Sequence, residues 1–343
     1  MTLPNGFVRS ATWEGMAAEN GAVTEALVTR MVELAQGRVG LIVSGHAYVE
    51  ARGQASPWQL GIHDDTLIEG HRHMVDAVHR AEGKIAIQLA HAGRRAIETL
   101  PLENQRRISH MNASAIKEVV DAFGEAAKRA KAAGYDAIQI HAAHGYFLSQ
   151  TLSPLENQRK DAYGDSLENR MRLLLEVVRR VQSEVGGGFP LLIKLNSADY
   201  VEGGFSQEEA AIVAQNLEKS GIHAIELSGG TPESGELVPI RPRIDTLEKE
   251  SYFREAALGI KKAVSIPIIL VGGIRHLEVA EQMVQEGRAD LISMSRPLIR
   301  EPGLIKRWIE GSTDPALCDS CCRCFVPARK GEGIRCMKIK KNA

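Results

Sequence analysis

Short apolar, β-prone runs alternate with longer amphipathic runs along most of this chain, and that alternation limits its folding options more than any other feature. Strands are expected over 7–12, 39–44, 84–90, 137–142, 191–196, 224–228, 267–271 and 290–294. Helices are expected over 24–36, 65–81, 114–133, 166–184, 206–219, 252–263, 276–285 and 302–310. Thr24, Ser114, Ser166 and Ser206 can each cap a helix start by accepting a bond from a free first-turn amide. Gly37, Gly83, Gly134, Gly221 and Gly287 sit where helices end. Eight strand–helix pairs are the count of a closed parallel barrel, and uniformly apolar strands fit a sheet buried on both faces. The alternative, an open doubly wound sheet, would carry a glycine-rich phosphate loop after its first strand. Neither G-x-G-x-x-G nor G-x-x-x-x-G-K-[ST] occurs. The expectation is therefore an α/β fold, a (β/α)8 TIM barrel over residues 1–311, followed by a short Cys-rich tail over 312–343.

Composition narrows the function. Lys and Arg number 42 against 43 Asp and Glu, so a dedicated binder of nucleic acid or anionic membrane is not expected. The longest apolar runs, 39–43 and 266–271, are too short to span a bilayer, and the first residues lack the pattern of a signal peptide. All five cysteines lie beyond residue 317, which is no disulfide framework for the chain. A cytoplasmic enzyme is the expected class.

In such barrels the chemistry lies at the C-terminal ends of the strands. Gly272 and Gly273 after the seventh strand, with Arg296 after the eighth, suit a phosphate group; the plain alternative is that the glycines only make tight turns. Gln88 and Lys194 point into the barrel. A buried lysine needs an anion, either a cofactor that gains negative charge or a barrel carboxylate such as Glu226. His141, His144 and Tyr146 share one loop. They suit two donors gripping a carbonyl or nitro oxygen, with a phenol as proton source. A metal pair or structural histidines are the other readings. His73, His79 and His110 read as surface or helix residues.

The segment from His141 through His144-Gly-Tyr146 to Asn169-Arg170, and the run Gln88-Leu-Ala-His-Ala-Gly-Arg94, resemble the old yellow enzyme family of FMN-dependent NAD(P)H:flavin oxidoreductases. The similarity runs from about Phe7 to Trp308 and is greatest toward the bacterial branch near 2,4-dienoyl-CoA reductase. The resemblance implies FMN at the barrel mouth, with Ser10, Ala11 and Thr12 along the ring and Gln88 at its pyrimidine edge. It implies Lys194 beside N1 and O2, and Gly272, Gly273, Ser295 and Arg296 at the phosphate. It further implies hydride transfer from NADH or NADPH to flavin N5 and on to an activated C=C. His141 and His144 would grip the substrate oxygen, and Tyr146 would donate the proton. Trp13 stands where many relatives place a smaller Thr or Cys, so it would narrow the pocket unless Thr12 takes that role. Self-association is a further family expectation.

The tail carries Cys318, Cys321, Cys324 and Cys336, with Cys322 extra. The set resembles the cluster-binding segment of the dienoyl-CoA reductase branch, where a [4Fe–4S] centre passes electrons. The spacing equally suits zinc, or free thiols. The alternatives to an ene-reductase are an amine-oxidising or electron-transfer barrel working with a redox partner, a non-redox enzyme for a phosphorylated substrate, and a flavin carrier without turnover.

Overall fold

The computed structural model describes residues 1–97 and 105–339, so the last four residues of the expected tail lie outside the described ones. Eight parallel strands close on themselves in chain order: β1 (Phe7–Arg9), β2 (Leu41–Tyr48), β3 (Ile85–Ala90), β4 (Ala137–Ala142), β5 (Leu191–Asn196), β6 (Ala224–Ser228), β7 (Ile268–Val271) and β8 (Leu291–Met294). The α/β barrel expected from the sequence is therefore the fold. The helices are α1 (Glu25–Gln36), α2 (Ile68–Arg80), α3 (Ala113–Ala132), α4 (Phe147–Leu152), α5 (Leu167–Val185), α6 (Gln207–Lys219), α7 (Arg254–Ala263), α8 (Leu277–Gln285), α9 (Arg296–Arg300), α10 (Leu304–Ile309) and α11 (Phe325–Ala328). Three of these, α4, α9 and α11, are too short to show an amphipathic period and were not expected. Among the described residues no helix is long and apolar enough to cross a membrane.

Local chemistry sets the helix starts. Thr24, Ser166 and Ser206 accept the amides of Leu27, Asn169 and Glu209, and Glu209 returns a bond to complete a capping box. The α3 cap is Asn112 rather than Ser114: its side chain accepts the Ala115 amide at 2.9 Å, and Ser114 is already helical. Asparagine is as good a cap as serine, so the two positions could not be ranked by residue type.

The period of two along each strand builds the interior. Val8, Leu41, Val43, Ala86, Ala137, Leu192, Ala224 and Ile269 point inward and form one apolar layer. The intervening Ile42, Ile87, Ile138, Ile193, Ile225, Leu270 and Ile292 face outward into the main core under the helices. Two residues beyond the inner layer, on the same inward face, stand Gln88, Gln139, Lys194 and Glu226, all buried. The polar residues thus collect at the C-terminal end of the barrel, above an apolar floor.

Two strands end elsewhere than expected. β1 stops at Arg9, which leaves Ser10, Ala11 and Thr12 in the following loop. β2 runs four residues past Ser44 because of a bulge: Val43 pairs with Ala86, yet the next partner pair is His46 with Gln88. Ser44 and Gly45 together oppose one residue, so the alternation shifts and His46 faces inward. A Cβ at Gly45 would collide with Glu14 Oε2 and stand 2.7 Å from the Thr12 carbonyl. Gly45→Ala is expected to lower stability by about 1–3 kcal/mol, as overpacking of a filled core does, read from a chemical denaturation midpoint at unchanged slope.

Candidate active site

The floor of the site is a closed hydrogen-bond network. The Lys194 ammonium lies 3.1 Å from Glu226 Oε1 and donates to Ser10 Oγ at 2.7 Å. Ser10 and Ser293 donate to the same carboxylate oxygen at 2.7 and 2.8 Å. Gln139 donates to Glu226 Oε2 at 2.8 Å and accepts from Gln88 at 2.6 Å. Burial alone would raise the Glu226 pKa, but the Lys194 charge and the donated bonds outweigh it and hold the carboxyl below its ordinary value. The barrel ion pair considered for Lys194 is therefore present. Lys194 also lines the cavity above.

That cavity measures about 520 Å³, within the range of small-molecule sites. One wall is aromatic. The rings of His141 and His144 lie 5.3 Å apart, and His141 lies 4.9 Å from Tyr146, edge to face in both cases. β4 delivers His141 as its inward residue after Ala137 and Gln139. His144 then takes a left-handed backbone with φ of 62°, held where its amide donates to Asn196 Oδ1 at 3.0 Å. Its Nε2 pairs with Ser228 Oγ at 2.7 Å. Burial, with help from the Lys194 charge, keeps both imidazoles well below their ordinary pKa, so both are neutral at physiological pH. Burial pushes the Tyr146 phenol up to about 12. His46 completes the wall, 3.3 Å from the Tyr146 oxygen.

The opposite end is basic and glycine-lined. Gly273, Ser295 and Arg296 line it, together with Arg275 and Arg329, while Ala11, Thr12 and Trp13 form the adjoining edge. Thr12 Oγ1 bonds Ser295 Oγ at 2.7 Å. Gly272 does not line the cavity; its carbonyl accepts the Tyr252 amide at 3.1 Å. With a φ of 151° it sets the turn that presents Gly273. The remaining predicted flavin and substrate residues, Ser10, Gln88, Lys194, His141, His144 and Tyr146, border the same space. His46 and Ser228 stand at strand ends, where polar residues of the site are expected, but were assigned no role; Arg275 and Arg329 were not foreseen as site residues. Arg329 follows α11 in the tail, so residues beyond the barrel help to wall the cavity.

The five cysteines are free and border a second, much smaller cavity of about 20 Å³. Arg296 donates to Cys322 Sγ at 2.9 Å and Arg300 to Cys336 Sγ at 3.2 Å. Burial pushes the Cys324 thiol up to about 11. Among the described residues no three His, Cys, Asp or Glu side chains converge as they would around a metal ion.

The residues of the larger cavity fit FMN. Trp13 Nε1, His141 Nδ1 and Arg275 Nε, all on cavity-lining residues, are buried without a partner. Each such group costs about 1–3 kcal/mol, and a polar heteroaromatic ring with a phosphate tail matches their chemistry and the basic end.

Comparison with known proteins agrees. The chain is 35% identical over 343 residues to an NADH oxidase of Thermoanaerobacter brockii, covering 94% of this chain and 51% of that protein. It is 37% identical over 292 residues to an NADPH dehydrogenase of Halalkalibacterium halodurans, covering 83% of each. Among solved structures it superposes on 2-naphthoyl-CoA reductase in complex with 2-naphthoyl-CoA with a TM-score of 0.89 at 27% identity, covering 98% of this chain and 55% of that one. The chain thus spans about half the length of some relatives and most of the length of others. The profile of the NADH:flavin oxidoreductase / NADH oxidase family matches residues 1–314, and the chain belongs to that family.

Proposed function

We propose that the chain is an FMN-dependent oxidoreductase of the ene-reductase type, taking a hydride from NADH or NADPH and delivering it to an activated C=C or similar acceptor. The observation that carries this reading is the convergence of His141, His144 and Tyr146 on one wall of a cavity floored by the Lys194–Glu226 pair. When bound, FMN supplies the two-electron relay between the nicotinamide and the acceptor. Ser10, Ala11, Thr12 and Gln88 would hold the ring, with Lys194 next to its electron-rich edge. Gly273, Ser295 and Arg296 would hold the phosphate, with Gly272 shaping the turn. His141 and His144, neutral, would donate to the acceptor's oxygen and draw electron density from the alkene. Tyr146, protonated at neutral pH, would protonate the α-carbon.

The test is optical. Purified protein should show flavin absorbance, bleach with NADPH under anaerobic conditions and recover its colour on addition of cyclohexenone. His141→Ala should weaken binding of phenols, seen as loss of the long-wavelength charge-transfer band, by about 10-fold or more, the worth of one hydrogen bond to a charged oxygen, while FMN stays bound. A protein that folds, refuses FMN and stays colourless would end this reading.

One observation favours a second role for the tail. Arg296 borders both the large cavity and the cysteine cavity, so an electron relay to a partner protein would start beside the flavin phosphate. Iron and zinc analysis of anaerobically purified protein separates a cluster, a zinc ion and free thiols at Cys318, Cys321, Cys324 and Cys336. Assays with amines against enones separate the two activities.

A further inference from the structure

The hydrogen bonds around His46 determine which of its ring nitrogens carries the proton. Gln59 is buried in the loop between β2 and α2. The Ala55 amide donates to Gln59 Oε1 at 2.6 Å, and this fixes the side-chain amide with its nitrogen toward His46. Gln59 Nε2 then spends its two hydrogens on the His46 carbonyl at 3.1 Å and His46 Nδ1 at 2.8 Å. Nδ1 is therefore an acceptor and bears no hydrogen. Burial, with a contribution from Lys194, lowers the His46 pKa to about 4, so the ring is neutral and has a single N–H. That N–H is on Nε2 and points at the Tyr146 oxygen, 3.3 Å away. The phenol oxygen is thus an acceptor in this contact, and its own hydrogen is left for the cavity.

We propose that His46 is a positioning residue for proton delivery: its Nε2–H turns the Tyr146 hydroxyl hydrogen toward the acceptor and stabilises the phenolate that forms when the proton leaves. The proposal rests on the reading of Tyr146 as the acid. In the step, the hydride that NAD(P)H supplied brings its electron pair to form the β-carbon's new C–H bond, the C=C π pair forms the α-carbon's new C–H bond with the Tyr146 proton, and the broken O–H bond leaves its pair on the phenolate. Water in the cavity then reprotonates the phenolate. His46 does not relay that proton: giving up its Nε2–H would require Nδ1 to take up another, and the group at Nδ1 is the Gln59 amide, which does not release one. The other groups facing Tyr146 are His141 from the end of β4 and Arg95 from the loop after β3; of these only Arg95 is a fixed positive charge. A hydrogen bond to a charged oxygen is the strong kind, and it forms fully only as the proton departs.

The experiment follows reoxidation of NADPH-reduced holoenzyme by cyclohexenone in a stopped-flow instrument. His46→Leu should slow reoxidation roughly 10- to 100-fold, the worth of one hydrogen bond to a charged oxygen, and leave reduction by NADPH unchanged. His46→Gln, which keeps an N–H donor, should recover most of the rate and serves if the leucine variant folds poorly. In a Tyr146→Phe background the same replacements should change nothing further. In protein labelled with 13C at the tyrosine ζ carbon, the Tyr146 phenol should titrate at higher pH in His46→Leu than in the wild type. An unchanged rate in His46→Leu while Tyr146→Phe is slow overturns this proposal alone. Equal slowing by His46→Leu with and without the Tyr146 hydroxyl overturns it too, by showing an effect that does not pass through the phenol. A Tyr146→Phe enzyme that reoxidises at full rate removes the acid and the proposal together.

Discussion

Tyr146→Phe should reoxidise about 10²- to 10⁴-fold more slowly than the wild type with an enone as oxidant, the usual worth of a positioned general acid. Reduction by NAD(P)H should be untouched, because no proton from the protein enters that half of the cycle. The two halves separate cleanly in single-turnover measurements, where a loss confined to reoxidation cannot come from a misplaced flavin. The removed atom is one hydroxyl on a ring held by edge contacts to His46 and His141, so the wall itself should stand. The pH dependence follows from the phenol being pushed up to about 12 by burial. It stays protonated across the working range, so the wild-type reoxidation rate should be level from about pH 6 to about pH 9 and fall only in stronger alkali, where the acid is lost. His141 and His144 stay neutral across that range, since both are held well below their ordinary values. A rate that instead falls between about pH 6 and about pH 8 would point to a histidine as the proton source.

Much of this site could be read before the fold was known, and the reasons are local. His141, His144 and Tyr146 lie within six residues of one another, so any strand ending at Ala142 places them together. The inward setting of Gln88 and Lys194 follows from counting by twos along uninterrupted strands. His46 escapes the same count. Its strand contains the Ser44–Gly45 bulge, and one extra residue sends every later side chain to the other face. Only the glycine hints at that irregularity, and a glycine in a strand more often ends it. Gln139 and Glu226 were on the inward face by parity, but their role depends on contacts across the barrel: Glu226 gathers Ser10, Gln139, Lys194 and Ser293 from four different segments. Arg329 illustrates the hardest case. It comes from the tail, and its place at the cavity depends on how that tail folds back. The Ile334 amide bonds to the Glu14 carbonyl at 2.7 Å and the Ala316 amide to the Arg275 carbonyl at 2.8 Å, and no pattern in the chain announces either contact.

Lys194→Met should be the most destabilising single change at the floor of the site. Methionine fills the space of the lysine stem, so the loss is one of charge rather than volume. It leaves Glu226, fully buried, with three neutral donors and no cation in hydrogen-bond contact. Breaking a buried pair from one side costs about 3–5 kcal/mol, because the stranded charge keeps its desolvation penalty. The pH dependence gives the cause away. In the wild type the Glu226 pKa is depressed in the folded state, so its contribution is fully present above the unfolded value of about 4.3 and is lost as pH falls through the folded value. In the variant the main opposing charge is gone and burial raises the folded pKa above the unfolded one. The penalty is then absent in acid and grows as pH rises from the unfolded value to the new folded value. The stability gap between wild type and variant should therefore be widest at neutrality, narrow as pH falls toward the unfolded value and narrow further as it passes through the wild-type folded value, measured by thermal unfolding at fixed FMN concentration. Adding Glu226→Gln to Lys194→Met removes the stranded charge, so the double variant should regain much of the neutral-pH loss and show a gap nearly independent of pH. A gap that is as wide in acid as at neutrality, or a double variant no better than the single one, would mean that Lys194 stabilises the barrel through packing and that Glu226 is not the ionised partner the geometry implies.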